Sequence, residues 1–360
     1  MKKLNVLVPS VLALFVASAA HAGATFDTPQ GKLNIGGDVE YNLDAQNFGD
    51  TDTGSALGNT VSDVQSANGR ILLDINGERV LANGNFAGFK INPVYTTNGD
   101  YGDGEDSWFS FGVKNDWAFK MGHYEAYDLS PAGQDTYVVG YGDNLYRAKA
   151  ARGRANSGGQ VMLSKEAGQW HMELSTLFGD DNGMYDTTTA AGNSWYGVAV
   201  EKNKDPLLAR PVVAWTGDTV TVAVGAELNL ISDAYVDAAG EDISDWTGYG
   251  ATATVKATDD LSFGVRGAFR SADEGDSYSV GPNIAYQNFY IAYLNGKNEN
   301  AGGVDVDKKY NVVYASYKIP AVMGIDNFDM YLGTSWGNEK IGDASATEEY
   351  GARARFKYFF

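Results

Sequence analysis

Acid–base and nucleophilic chemistry near neutral pH falls mostly to histidine and cysteine. This chain of 360 residues has three of the first, His21, His123 and His171, and none of the second. His21 sits in the N-terminal leader, and no serine or aspartate is spaced around His123 or His171 as a nucleophile or orienting partner would be. No enzyme is expected. Without cysteine there are no disulfides, thiolate nucleophiles or cysteine-held zinc. The acidic run from Asp100 to Asp106 has the composition of a calcium loop but not the EF-hand spacing, so neither metal nor cofactor is expected.

Charge and aromatic rings gather instead in one stretch, 125–158. It holds Asp128, Asp135, Asp143 and Arg147 together with Tyr127, Tyr137, Tyr141 and Tyr146. Fixed charges orient dipolar solutes, and flat phenol rings can stack on sugars, although tyrosine also fills ordinary loops. An aperiodic segment of this length is usually functional or disordered. A second set of cations, Arg70, Lys90, Lys120, Arg266, Arg270, Arg353, Arg355 and Lys357, falls at alternate positions of period-two runs.

Those runs are the elements that must position everything else. At the C-terminus Tyr350, Ala352, Ala354, Phe356, Tyr358 and Phe360 share one face, and Glu349, Gly351, Arg353, Arg355 and Lys357 share the other. Leu33, Ile35, Val39, Tyr41 and Leu43 oppose Lys32, Asn34, Asp38, Glu40 and Asn42 in the same way. Ile71, Leu73 and Ile75 oppose Arg70, Asp74 and Asn76, and Tyr278, Val280, Pro282, Ile284 and Tyr286 oppose Ser279, Gly281, Asn283 and Ala285. Short turns such as Asn115-Asp116 and Gln287-Asn288 trade places with long polar connections, near 44–67, 97–106, 125–158, 179–193, 231–245, 298–306 and 338–346. A soluble β-sandwich explains single strands of this kind but gives no reason for loops to sort by parity. A transmembrane barrel does, with short turns at one end and long loops at the other. No later segment is apolar for long enough to form a membrane-spanning helix.

Met1-Lys2-Lys3, an apolar run from Leu4 to Ala20 and the Ala20-His21-Ala22 triplet read as a cleaved secretory signal over residues 1–22, leaving one domain over 23–360. Loss of Lys2 and Lys3 takes the net charge from -19 to -21, which makes nucleic acid an improbable partner. In hydrocarbon an unpaired backbone edge is too costly to survive, so the strands must close into a ring with an even count. Seventeen segments can be marked. The doubtful stretch is 194–216, where Lys202–Pro206 divides two apolar pieces. Assigning Trp195–Val200 to a loop or a strand extension leaves 16 strands, with 18 as the alternative.

With its leader, its alternating terminal strand ending in Phe360, and a long third loop after the fifth strand, the chain over 31–360 resembles the general and sugar-type porins of Gram-negative outer membranes. The resemblance implies an all-β, closed antiparallel transmembrane β-barrel whose third loop folds into the lumen. It also implies passive diffusion of small polar solutes, a homotrimer, and recognition of the last strand by the barrel-insertion machinery. Loop carboxylates such as Asp44, Asp50, Asp52 and Asp63 could share divalent cations with lipopolysaccharide in the surrounding bilayer. A constriction would then set Asp128, Asp135, Asp143 and Arg147 of the loop against Arg70, Lys120, Arg266, Arg353 and Arg355 of the wall. At ~8 Å and an effective dielectric of ~20, a unit pair interacts by roughly 2 kcal/mol, enough to orient a dipole. The cations could equally satisfy wall carboxylates. Tyr127, Tyr137, Tyr141 and Tyr146 are the candidate sugar contacts, whereas Trp108, Trp117 and Trp336 read as interface girdle. An enzyme or adhesin barrel is the remaining alternative.

Overall fold

Alternation converts directly into strands. The computed structural model describes residues 23–47, 63–102, 104–130, 133, 136–139, 145–148, 159–179, 201–236, 240–242, 244–272, 275–299 and 307–360. The leader, Trp195–Val200, Asp135, Tyr141 and Asp143 lie outside them.

Sixteen antiparallel strands form the ring. In order they are β1 (Gly31–Asn47), β2 (Asp63–Val80), β3 (Asn85–Ile91, continued by Val94–Thr96), β4 (Tyr101–Gly102, then Ser107–Val113), β5 (Trp117–His123) and β6 (Gly159–Ala167). There follow β7 (Trp170–Phe178), β8 (Leu207–Thr216), β9 (Val220–Asn229), β10 (Trp246–Lys256) and β11 (Leu261–Ala272). The last five are β12 (Ser277–Tyr286), β13 (Phe289–Asn298), β14 (Lys308–Ile319), β15 (Phe328–Ile341) and β16 (Thr347–Phe359). Each strand pairs with the next, and β16 closes on β1 from Asp38↔Phe359 to Asn47↔Tyr350. Below Phe360 the N-terminal segment Ala24–Thr28 pairs with β1 and extends the column of β16. The first described segment and the last strand therefore share one strand position.

The stretch that left the count open resolves on its second half. Leu207–Thr216 is the wall strand, paired to β7 and β9, while Glu201–Lys202 pairs with Tyr235–Val236 outside the ring. Parity sorting of connections holds with three exceptions. Residues 97–100 and 273–276 make four-residue links at the long-loop end, and 320–327 make an eight-residue link at the short-turn end.

The outer surface is a continuous apolar band. Leu43, Leu163, Val224, Tyr249, Phe263, Tyr286, Leu332 and Tyr358 are all exposed, each about half or somewhat less of its surface. So large an apolar surface on a closed cylinder marks contact with lipid. Among the described residues no helix is long and apolar enough to cross a membrane, so crossing falls to the strands.

The inner face is where the molecule departs from simple alternation. On β8, β13 and β14 it too carries apolar residues: Leu208 and Val212, then Tyr290, Ala292 and Leu294, then Tyr310, Val312 and Tyr314, all buried. They belong to two hydrophobic clusters that the stretch after β5 joins, with Leu129, Tyr146 and Ala148 in one and Leu145 in the other; the remaining members are wall residues such as Leu177, Ala223 and Ala285, with Ala234 and Tyr235 of the β9–β10 connection. The barrel thus has a core inside its wall.

Candidate functional site

Two inner surfaces face each other across this interior. The first is a charge ladder on β16, β1 and β2. Pairing sets Glu40 of β1 between Arg70 of β2 and Lys357 of β16, and places Arg355 and Arg353 opposite Asn42 and Asp44. Arg353 grips Asp44 with two parallel bonds of 2.7 Å. Arg355 donates to Asn42 at 2.8 Å and meets Glu40 at 3.2 Å. Lys357 lies 3.4 Å from Asp38 and 3.3 Å from Glu40, Lys90 lies 3.3 Å from Asp74, and Arg70 is paired with Glu105. The cations expected to be neighbours after closure are neighbours, but they are not a bare basic wall. The reading in which the cations satisfy wall carboxylates therefore describes them, and Asp44, expected in an external loop, lies instead on β1 on the same face as Asp38 and Glu40, held by Arg353. The carboxylates sink deeper, with 6% of the Asp44 side chain exposed against 16% for Arg353, and 10% for Asp74 against 27% for Lys90. The Arg353, Lys90 and Lys357 tips therefore lie over more deeply buried carboxylates, whereas Arg355 and Glu40 are equally buried at 9% and Glu105 is as exposed as Arg70.

The second surface is the loop that follows β5. Gly122, at φ +125°, begins the departure from the wall; a Cβ there would strike the backbone of Ser107 and Trp108. The described residues of the stretch that follows lie against the inner faces of β7 to β16. Glu173 of β7 accepts from the Tyr127 backbone at 3.1 Å, and Asp128 caps Ser130 at 2.8 Å. Arg266 of β11 reaches the Ser130 carbonyl at 3.4 Å and the Tyr314 hydroxyl at 3.0 Å. Farther round, Gln46 of β1 donates to the Val138 carbonyl. On the return, Ser279 donates to the Tyr146 carbonyl at 2.6 Å, and the Tyr146 hydroxyl donates to Glu227 at 2.7 Å. Wall glycines make room for this path. A Cβ on Gly225, Gly250, Gly296, Gly333 or Gly351 would run into Leu129, Ala148, Leu145, Thr136 or Val138 respectively.

Several expected site residues take on other work in this arrangement. Arg266 is 6% exposed and tied to the loop, so it holds the loop from behind instead of lining a passage. Tyr146, expected to offer a ring to sugar, is 1% exposed with its hydroxyl committed to Glu227. Its phenol is pushed well above the ordinary value, first by burial and then by the Glu227 charge, so it remains a neutral donor. Tyr137 packs edge-on to Tyr314 at 5.4 Å, and Tyr127 stacks on His171 at 5.4 Å. Burial, with Asp128 and Glu173 adding to it, pushes the Tyr127 phenol up to about 12. Arg147, next to Tyr146, is half-buried. Lys120 of β5 lies over the rings of Trp108 and Tyr124, 4.8 and 5.0 Å from their centroids. Trp108 is consequently an interior residue, on the same face of β4 as Ser110, and not the girdle residue its type suggested. Trp117 and Trp336 do point outward. His171 is held between Glu166 at 2.5 Å and Glu173 at 3.4 Å, with no nucleophile in the group.

A sealed cylinder, apolar outside and charged within, partly filled by its own loop, defines a membrane channel protein. Solved structures share the fold. The fold matches an anion-selective porin from Comamonas acidovorans at TM-score 0.61 and 12% identity, covering 91% of this chain and 99% of that one. It matches the outer membrane channel DcaP of Acinetobacter baumannii at TM-score 0.62 and 14% identity, covering 94% and 100%, and OmpT of Vibrio cholerae at 0.56 and 14%, covering 94% and 100%. No curated protein matches the sequence. The family model for porin-like glycoporin RafY matches residues 35–360, and the chain belongs to that family of Gram-negative porins. It is an outer-membrane channel.

Proposed function

We propose that the channel is water-filled and passes small polar solutes and ions by passive diffusion, filtered between the loop and the charge ladder. The observation that carries this reading is the ladder itself. Its cationic tips face the interior while the opposite wall is covered by the loop, so a solute passes fixed charge at close range. Asp128 and Arg147 on the loop, and Arg70, Lys120, Arg353 and Arg355 on the wall, are its constriction residues. Conductance and reversal potential in planar bilayers test it. Replacing Arg70, Arg353 and Arg355 by glutamine removes the counter-charges of Glu105, Asp44 and Glu40 and is expected to shift selectivity towards cations. An unchanged reversal potential removes the ladder from the filter.

A carbohydrate-preferring channel is the second reading. It is supported by membership of the glycoporin RafY family and by the inward ring of Trp108 beside Lys120. Tyr127 and Tyr137 are its further candidates on the loop. Concentration-dependent block of current by an oligosaccharide, lost in Trp108→Ala, is the expected sign. Cleavage after Ala22 and assembly as a homotrimer complete the proposal, and the mass and oligomeric state of protein extracted from the membrane test both.

A further inference from the structure

Of the described connections at the short-turn end, the one between β14 and β15, residues 320–327, is the longest. The others turn on polar residues such as Asn115-Asp116, Asp218-Thr219 and Asp259-Asp260, whereas the run from Ile319 to Ile325 has no polar side chain. Met323 is 89% exposed and Ile325 47%. A turn surrounded by water gains nothing from holding such groups out.

The segment is not a loose strap. Val322–Gly324 makes one tight helical turn, in which the Gly324 amide donates to the Ala321 carbonyl at 2.8 Å and the Ile325 amide to the Val322 carbonyl at 3.1 Å. At its two ends the Ala321 amide donates to Asp329 at 3.2 Å, and the Phe359 amide to the Asn327 carbonyl at 3.0 Å. Ala321 and Met323 are held at φ +50° and +58°, in the left-handed region that residues with side chains avoid. Such strain persists only where the surroundings impose it, and it clusters at functional positions. The imposed shape keeps Met323 and Ile325 on the surface.

What borders the turn identifies its partner. The outward residues beside it are Tyr317 and Ile319 on β14, Phe328 and Met330 on β15, and Phe356 and Tyr358 on β16. The Phe328 ring lies 6.4 Å from that of Phe356 and 6.5 Å from that of Tyr358. The neighbouring charges are turned inside, where Lys318 pairs with Asp329 at 2.7 Å. The turn therefore continues the lipid-facing band past its aromatic rim, with no charged side chain before Asp326. We propose that the 320–327 turn is a membrane anchor, with Met323 and Ile325 lodged at the boundary between headgroups and acyl chains of the phospholipid leaflet at the short-turn end. Lifting the turn into water re-exposes that apolar surface, so it opposes sliding of the barrel along the membrane normal. The anchor does not depend on which solute crosses the pore.

Because the chain has no cysteine, a single introduced thiol reports on one place. Full-length protein carrying Met323→Cys labelled with bimane, in vesicles of phosphatidylethanolamine and phosphatidylglycerol, tests the anchor. Ile325→Cys repeats the measurement on the second side chain, and Asp218→Cys, on a polar turn at the same end, is the reference in water. Doxyl groups near the top of the acyl chains are expected to quench the labels at 323 and 325 several-fold more strongly than the label at 218. Iodide, present on both sides of the membrane, is expected to quench them several-fold less. Equal quenching of all three labels by iodide would overturn the proposal by placing the turn in water. Protection from iodide without quenching by doxyl lipid would overturn it too, by assigning the cover to a second protein copy.

Discussion

The inner wall of β8–β14 and that of β16, β1 and β2 are made by the same two-residue alternation, yet they do opposite things. The first is lined by Leu208, Val212, Leu294 and Val312 among glycines and serines, and it is covered by the loop. The second carries a charged or amide side chain at nearly every inward position from Asp38 to Asp44 and from Arg353 to Lys357. Apolar groups on an inner face gain nothing from water, so they mark where the chain covers itself. Paired charges mark where water stays. The difference separates a wall that shapes the passage from a wall that reads what passes.

Overfilling the covered wall should blur this distinction most. Gly248 faces the Tyr146 ring with no room for a side chain, so Gly248→Leu must expel the loop or distort β10. Overpacking of this kind costs about 1–3 kcal/mol. The expected outcome is larger and noisier single-channel conductance with ion selectivity retained; a quiet channel of unaltered size would mean that Tyr146 does not hold the loop. Tyr146→Phe is the gentler version. It leaves the Glu227 carboxylate, which is 4% exposed, without its phenol donor, at a cost of about 1–3 kcal/mol, and heat-induced unfolding should fall accordingly.

Changes to the ladder should give the converse. Glu40→Gln removes the carboxylate shared by Arg355 and Lys357, and is expected to move the reversal potential towards anions while conductance barely changes. A conductance change as large as that of Gly248→Leu would erase the division between the two walls.

The smallest effect belongs to the connection between β9 and β10, whose Ala234 and Tyr235 join the loop's hydrophobic cluster. Asp242 in that connection is raised by partial burial but pulled below its ordinary 3.8 by the Asp233 and Ser244 amides, the Ser244 hydroxyl and Lys204. Because its folded value is depressed, its contribution is complete above the ordinary value and is lost as pH falls through the lower one. Hydrogen exchange at residues 233–236 is expected to quicken below about pH 4 relative to an Asp242→Asn variant. Equal pH dependence in both would remove Asp242 as the cause.

Much of the ladder was legible beforehand. Arg353 and Arg355 alternate with Ala352 and Ala354, and closure of an even ring makes β16 the neighbour of β1. Asp38 and Glu40 were equally visible, whereas Asp44 was assigned to a loop because β1 runs on to Asn47; which acid meets which base depends on register, and a shift of one residue would turn every one of them outward. Trp108 was misjudged because tryptophan is common at both membrane interfaces and inside pores, and type alone does not choose between them. A sign of the loop's docking was also present. β13 and β14 carry apolar residues on both faces, which a wall facing only lipid and water does not need.

By itself the sequence determined that strands would alternate, that they must close, and that the outside would be greasy, because a period of two and the absence of water in hydrocarbon leave no other way to satisfy the backbone. Only the tertiary structure decided where the loop lies, why Arg266 and Tyr146 serve it rather than a solute, and which acid of β1 meets which base of β16. Those outcomes join residues far apart in the chain, and their contacts exist only once ring closure and strand register have set the distances between them.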